Sequence, residues 1–114
     1  MSVMCLIILA SSWSIGQPIR GNPKEGRAIY GQYCLRCHGN TLDGNGPDAQ
    51  YLIMRPANFL SQGLLAKADW ELILTISNGI LFTPMHGFRG TLTDQQMLDV
   101  VSYIRSMTPF GADN

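Results

Sequence analysis

The stretch that decides the fold is YCLRCHGN, residues 33–40. Cys34 and Cys37 are separated by two residues, and His38 follows the second cysteine directly. Two thiols and an imidazole therefore lie within five residues of a small chain. Such a concentration of ligand and nucleophile chemistry indicates that the segment binds a metal or a cofactor, or undergoes thiol chemistry.

Four kinds of site are compatible with this segment. A zinc site needs four ligands, and no second Cys or His pair lies at a suitable spacing. A thiol–disulfide redox site normally follows a strand in a βαβ pattern, which the sequence does not show. A structural disulfide between Cys34 and Cys37 is the plainest alternative. The pattern favours covalent c-type haem attachment, in which both thiols form thioethers with the haem vinyl groups and His38 faces the iron.

Composition places the chain among globular proteins. Its 114 residues suit one domain, and 46% hydrophobic with 14% charged residues argue against disorder. Eight basic and eight acidic residues cancel. No basic patch indicates nucleic acid as a partner, and a protein with so little net charge gains only weak long-range steering.

Residues 1–16 differ from the rest of the chain. The apolar run from Val3 to Ala10 precedes the small and polar residues SSWS, as in a secretory signal peptide. We therefore expect a signal peptide, or else a hydrophobic N-terminal anchor, followed by one domain over residues 17–114. A periplasmic location follows, with membrane association through the N-terminus or a partner as the alternative. Cys5 would be removed with the signal.

Helical signals dominate the remainder, so the sequence predicts an all-α fold. Asn22, Pro23 and Glu25 resemble an N-cap, a first helical residue and a capping box. Gly- and Pro-containing sequence predicts a loop from Gly39 to about Ala66.

Two further helices follow this loop. In ADWELILTISNG, residues 68–79, an apolar face predicts the second main helix, with Gly79 as its C-terminal cap. Trp70 is interpreted as a core residue at its start, or else as part of a haem pocket. A capping box of Thr93 and Gln96 begins the third. Its apolar stripe comprises Met97, Val100, Val101, Ile104 and Met107.

A second axial ligand is needed on the other side of a haem iron. Met97 and Met107 lie on the helical stripe, where core packing is expected, and Met54 is expected to pack against the porphyrin. Met85 follows Pro84 in the loop before the last helix, and this makes it the favoured ligand. His86 is the rival, and we interpret it as an exposed residue near the haem edge.

The chain resembles the class I monohaem cytochromes c of bacterial periplasms. The resemblance extends over about residues 22–109 and depends on GRAIYGQYCLRCHG, DGNGP, NGILFTPMHGF and LTDQQMLDVVSYIRSM, in this order. It implies a small cytochrome c fold, in which three main helices and long loops surround one haem.

The resemblance also implies roles for particular residues. Cys34 and Cys37 would hold the haem as thioethers, while His38 and Met85 would be the proximal and distal ligands. The carbonyl of Pro47 would accept a hydrogen bond from His38 Nδ1 and fix the ring.

Five more residues are assigned secondary roles. Gly26, Tyr30 and Tyr103 match a structural crossing of the first and last helices. Arg55 and Asn58 lie where a loop could meet the haem propionates, to which an arginine fork is well suited. A solvated surface role for Arg55 stays open.

Ligation by His and Met leaves no iron position for a small-molecule substrate, so we expect one-electron transfer rather than an enzyme. The partners would be redox proteins that donate or accept an electron. Two hypotheses follow: a periplasmic carrier in a respiratory chain, or a permanently bound subunit of a larger oxidoreductase or respiratory complex. A peroxidase or gas-binding haem with a labile Met85 is a third.

Overall fold

The computed structural model describes residues 20–108, and these residues form helices joined by loops, without a β-strand. The helices are α1 (Pro23–Tyr33), α2 (Leu35–His38), a short 3-10 helix (Ala49–Tyr51), α3 (Gln62–Leu65), α4 (Asp69–Asn78) and α5 (Asp94–Ser106). The predicted all-α fold with three main helices is confirmed, because α1, α4 and α5 are the long ones. The predicted loop at 39–66 contains the 3-10 helix and α3. The expectation for residues 1–16 falls outside the described residues.

The start of α1 is tied to α5. Asn22 caps the helix as predicted, because its side chain accepts from the backbone N–H groups of Lys24 and Glu25. The capping box also predicted that the Glu25 side chain would accept from the backbone N–H of Asn22, and this prediction is wrong. The backbone N–H of Asn22 donates instead to Asp99 Oδ1 of α5, at 2.8 Å. The acceptor for the Asn22 N–H is therefore the carboxylate of Asp99, which is distant in sequence, and not that of the neighbouring Glu25.

The predicted capping box of α5 is confirmed. Thr93 accepts from the backbone N–H of Gln96, and Gln96 Oε1 accepts from the backbone N–H of Thr93. The apolar stripe is buried from Met97 to Ile104. Met107 was predicted to be in the core, and this is wrong: α5 ends at Ser106, and Met107 is half exposed at its C-cap.

The core lies where α1 crosses α5. A Cβ atom on Gly26 would lie 1.9 Å from the carbonyl oxygen of Asp99, so only glycine permits this approach. The rings of Tyr30 and Tyr103 pack with their centroids 5.3 Å apart. The Tyr30 hydroxyl donates to the buried carbonyl of Gly39 at 2.7 Å. The predicted structural crossing is confirmed.

Helix α4 turns Leu72 and Ile76 inward. Trp70 is 63% exposed and does not line the cleft described below, so both interpretations of it are wrong. Residue 70 lies about 200° around the helix from Leu72, which places it on the outer face beside the exposed Leu74. Gly79 follows α4 with a φ of 70°, in agreement with its predicted role as the cap.

Candidate haem site

A cleft of about 350 Å³ lies between α2, α4 and the loops around residues 52–59 and 80–88, and it is called the haem cleft below. Most of its lining is apolar, including Leu72, Ile76, Phe59 and Phe88. Met54 also lines it, as expected of a residue that packs against a porphyrin. Pockets of this size and polarity are typical of small-molecule and cofactor sites.

Helix α2 brings the cysteines and the histidine together. The backbone N–H groups of Cys37 and His38 both donate to the carbonyl of Cys34, at 3.2 and 2.9 Å. Residues three and four apart share one helical face, and all three side chains line the haem cleft. Two thiols and one imidazole are thus presented to the same space.

The His38 ring is held by one nitrogen. Its Nδ1 donates to the carbonyl of Ala57 at 3.1 Å, which leaves Nε2 with a lone pair for a ligand on the cleft side. The ring also stacks on Phe59, with centroids 4.7 Å apart. Burial lowers the pKa of His38, while the bond to Ala57 opposes this effect. The neutral imidazole that a metal requires is therefore favoured.

The role predicted for Pro47 is wrong, since Ala57 has it instead. The carbonyl of Pro47 accepts from Gln50 Nε2 at 3.2 Å. The neighbouring Asp48 donates its backbone N–H to the carbonyl of Arg36 and pairs with the Arg36 side chain at 2.7 Å. These bonds fix the segment around Pro47 against the backbone of α2. The second proline segment, RPAN at 55–58, was the signal in the sequence that could have identified the acceptor.

The Cys34 thiol is unsuited to act as a nucleophile in the folded chain. Cys34 and Cys37 are both free. Burial first, and then the neighbouring Cys37, raise the pKa of Cys34 to about 12. Because the thiolate is the reactive form, a thiol protonated at neutral pH disfavours the interpretation as a thiol–disulfide redox site.

Met85 enters the haem cleft from the loop after α4. It is half-buried and packs against the core. Backbone bonds fix both ends of the loop: Ile80 N–H donates to the carbonyl of Met85 at 2.9 Å, and Phe88 N–H donates to that of Ile76 at 2.8 Å. His86 also lines the cleft but is exposed, and it packs on Phe88 with ring centroids 4.5 Å apart.

The charged residues of the lining are cationic. Arg55 is exposed at the edge of the lining, and its Nη1 donates to Asn45 Oδ1 at 3.3 Å. Lys67 also lines it, and sequence reasoning missed this residue because nothing near it in sequence marks a site. Asn58 lies outside the lining and accepts from the backbone N–H of Leu60. Every Asp and Glu among residues 20–108 is likewise outside the lining, so the cleft is suited to a group that carries carboxylates.

The donor set and the cavity thus fit a haem. One cleft has largely apolar walls and contains two thiols three residues apart, an imidazole with a free nitrogen, a thioether and two cations. The two cations can neutralise propionates.

Comparison with known proteins agrees with this fit. The profile of the family described as cytochrome c oxidase, cbb3-type, subunit III matches residues 21–104. Cytochrome c6 of Synechocystis sp. is 28% identical over 108 residues, which are 94% of this chain and 84% of that protein.

Two solved structures are also similar. One is a chain of the Kuenenia stuttgartiensis reducing HAO-like protein complex Kustc0457/Kustc0458, with a TM-score of 0.70 and 25% identity over 88% of this chain. The match covers 48% of that chain, so the present chain spans about half its length. The other is the KustC0563 c-type cytochrome, with a TM-score of 0.59 and 29% identity over 73% of this chain and 96% of that one.

The matched profile covers most of the chain, and the similar proteins named as cytochromes agree with the resemblance drawn from the sequence. The protein carries covalently bound haem c and takes part in haem-based electron transfer. The chain therefore belongs to the family described as cytochrome c oxidase, cbb3-type, subunit III, and is a monohaem class I cytochrome c.

Proposed function

We propose that this chain is a periplasmic one-electron carrier of a respiratory chain, with haem c attached through Cys34 and Cys37 and with His38 and Met85 as axial ligands. One observation carries this proposal. The four side chains line one cleft: Cys37 and His38 from α2, Cys34 from the residue before it, and Met85 from the loop after α4. A group attached through Cys34 and Cys37 would therefore share its cavity with both proposed ligands.

The chain's own residues account for the redox behaviour that such a carrier needs. Bound haem takes up and releases one electron at its iron. His38 offers a neutral Nε2, and Met85 offers a soft thioether that favours the ferrous state. The apolar walls also disfavour the additional positive charge of the ferric state. We expect a moderately high reduction potential, and no free iron position for a substrate.

Spectroscopy of two neighbouring variants tests the ligand assignment. The oxidised wild-type protein should show the weak near-infrared band of methionine-to-iron charge transfer, and its reduced spectrum should not change under carbon monoxide. Met85→Ala should lose the band and bind carbon monoxide, whereas the matched control His86→Ala should keep the band. Loss of the band in His86→Ala alone, or a wild-type protein without it, would refute ligation by Met85.

A permanently bound subunit is the second candidate function, and two observations favour it. A similar solved chain belongs to the Kuenenia stuttgartiensis reducing HAO-like protein complex. Leu81 and Phe82 are neighbours beside the cleft-lining Ile80 and Thr83 and are 83% and 102% exposed, and adjacent exposed apolar side chains are typical of protein contacts. Size-exclusion chromatography of native extracts distinguishes the two roles. A haem-stained peak at the mass of one chain supports the carrier, and co-elution at fixed stoichiometry with an oxidoreductase supports the subunit.

The periplasmic location is part of the proposal. Between residues 20 and 108, no helix is long and apolar enough to cross a membrane. N-terminal sequencing of the haem protein from a periplasmic fraction tests whether residues 1–16 are removed. Recovery of the intact N-terminus from the membrane fraction would favour the anchor instead.

A further inference from the structure

We infer that Thr83 is a positioning residue for Met85, and that its hydroxyl sets how long the thioether stays on the iron. The inference depends on the proposed ligation by Met85. Thr83 touches the haem cleft itself, but its argued effect is on the loop that carries the ligand.

The hydroxyl of Thr83 joins the two ends of this loop, residues 80–85. Thr83 Oγ1 donates to the carbonyl of Ile80 at 2.8 Å and accepts from the backbone N–H of Met85 at 3.2 Å. The backbone N–H of Ile80 in turn donates to the carbonyl of Met85 at 2.9 Å. The first and last residues of the loop are therefore connected both directly and through one side-chain oxygen.

No other residue between 80 and 85 has a side-chain oxygen, so no neighbouring side chain can replace this hydroxyl. Pro84 has no N–H, so it adds no hydrogen bond of its own between Thr83 and Met85. Thr83 is half-buried, which limits the ability of water to satisfy the Met85 N–H if the hydroxyl is removed. The loop also contains a strained residue, since Phe82 has a φ of 62°.

Strain of this kind persists only where the surroundings fix the backbone. The side chain of Phe82 is fully exposed, so its packing does not hold the conformation. The bonds on either side of Phe82 must do so, and Thr83 makes three of them: its N–H and its hydroxyl to Ile80, and its hydroxyl to Met85. Without the hydroxyl the loop should open more often, and Met85 should leave the iron more often.

The test is the rate at which imidazole binds to the oxidised haem-loaded protein. At saturating imidazole this rate is limited by the departure of Met85. Thr83→Val, which keeps the shape but removes the hydroxyl, should bind imidazole roughly three- to tenfold faster. Thr83→Ser, which keeps the hydroxyl, should stay near the wild-type rate. The control Thr91→Val changes an exposed threonine outside the loop and should also match the wild type.

The outcomes separate this inference from the proposed function. A wild-type protein without the near-infrared band overturns both. A wild-type protein with the band, together with Thr83→Val at the wild-type rate or Thr83→Ser as fast as Thr83→Val, overturns only the role of Thr83. If Thr83→Val does not load haem, amide hydrogen exchange in the reduced wild-type protein tests the inference instead. The Met85 N–H should be protected from exchange. Exchange at the rate of an unstructured amide would refute the inference.

Discussion

Replacing Gly26 by alanine tests the helix crossing on which the haem cleft is built. The added Cβ would lie 1.9 Å from the carbonyl oxygen and 2.4 Å from the carbonyl carbon of Asp99. To reach the ordinary contact distance of 3.4 Å, α1 and α5 would have to separate by about 1.5 Å at this point. The obstacle is backbone rather than a flexible side chain, so no rotamer change can relieve it.

The expected magnitude follows from two opposing effects. Overpacking a tight core contact costs about 1–3 kcal/mol, and a backbone obstacle places this site at the upper end. Alanine is favoured over glycine in a helix by about 1 kcal/mol, which offsets part of the loss. The free energy of unfolding of Gly26→Ala should therefore fall by about 2 kcal/mol. For a domain of this size, the melting temperature should fall by roughly 8–16 °C.

Gly31 provides a matched control in the same helix. A Cβ atom at Gly31 meets nothing within 4 Å, so Gly31→Ala gains helix propensity without a clash. Its free energy of unfolding should rise by about 0.5–1 kcal/mol. Thermal unfolding of both haem-loaded variants, followed by far-ultraviolet circular dichroism, measures the difference. Equal or higher stability of Gly26→Ala relative to Gly31→Ala would show that the close crossing is not a constraint.

Two further predictions concern single side chains. Tyr30→Phe leaves the buried carbonyl of Gly39 without its donor and should lower the free energy of unfolding by about 1–2 kcal/mol in denaturant titrations, whereas Tyr33→Phe, at an exposed ring, should change it little. The hydrogen bond from Arg36, and then its charge, lower the pKa of Asp48 below its ordinary 3.8. The Arg36–Asp48 pair therefore stabilises the fold above pH 3.8, and this contribution is lost as the pH falls through the lowered value. The melting temperature of Asp48→Asn should be slightly below that of the wild type at pH 6 and equal to it in strong acid. A difference in melting temperature that persists in strong acid would contradict a stabilising role for the Arg36–Asp48 pair.

Local chemistry made much of this protein predictable. The spacing of Cys34, Cys37 and His38 indicated haem attachment once the rest of the sequence had excluded a zinc site and a βαβ redox site. The capping box of Thr93 and Gln96 located α5, since cap and helix are neighbours along the chain. The sequence identified Met85 only as a favoured candidate, and the choice between it and His86 is left to spectroscopy.

Several contacts between segments distant in sequence were predicted wrongly, although the crossing of α1 and α5 was confirmed. The acceptor for His38 is Ala57 rather than Pro47, and the partner of the Asn22 N–H is Asp99 rather than Glu25. Lys67 lines the cleft, although no pattern in the sequence predicted this. A hydrogen bond forms with whichever group the folded backbone brings within about 3 Å. Sequence spacing predicts which groups come that close only when they lie within one or two helical turns of each other.

The sequence alone therefore determined the helical architecture, the cofactor and the close placement of Cys34, Cys37 and His38, since these depend on residues adjacent along the chain. Only the tertiary structure decided which carbonyl orients His38, how closely α1 approaches α5 at Gly26, and how Thr83 closes the loop that carries Met85. Each of these depends on the packing of segments against one another, where the positions of atoms are set by the whole fold.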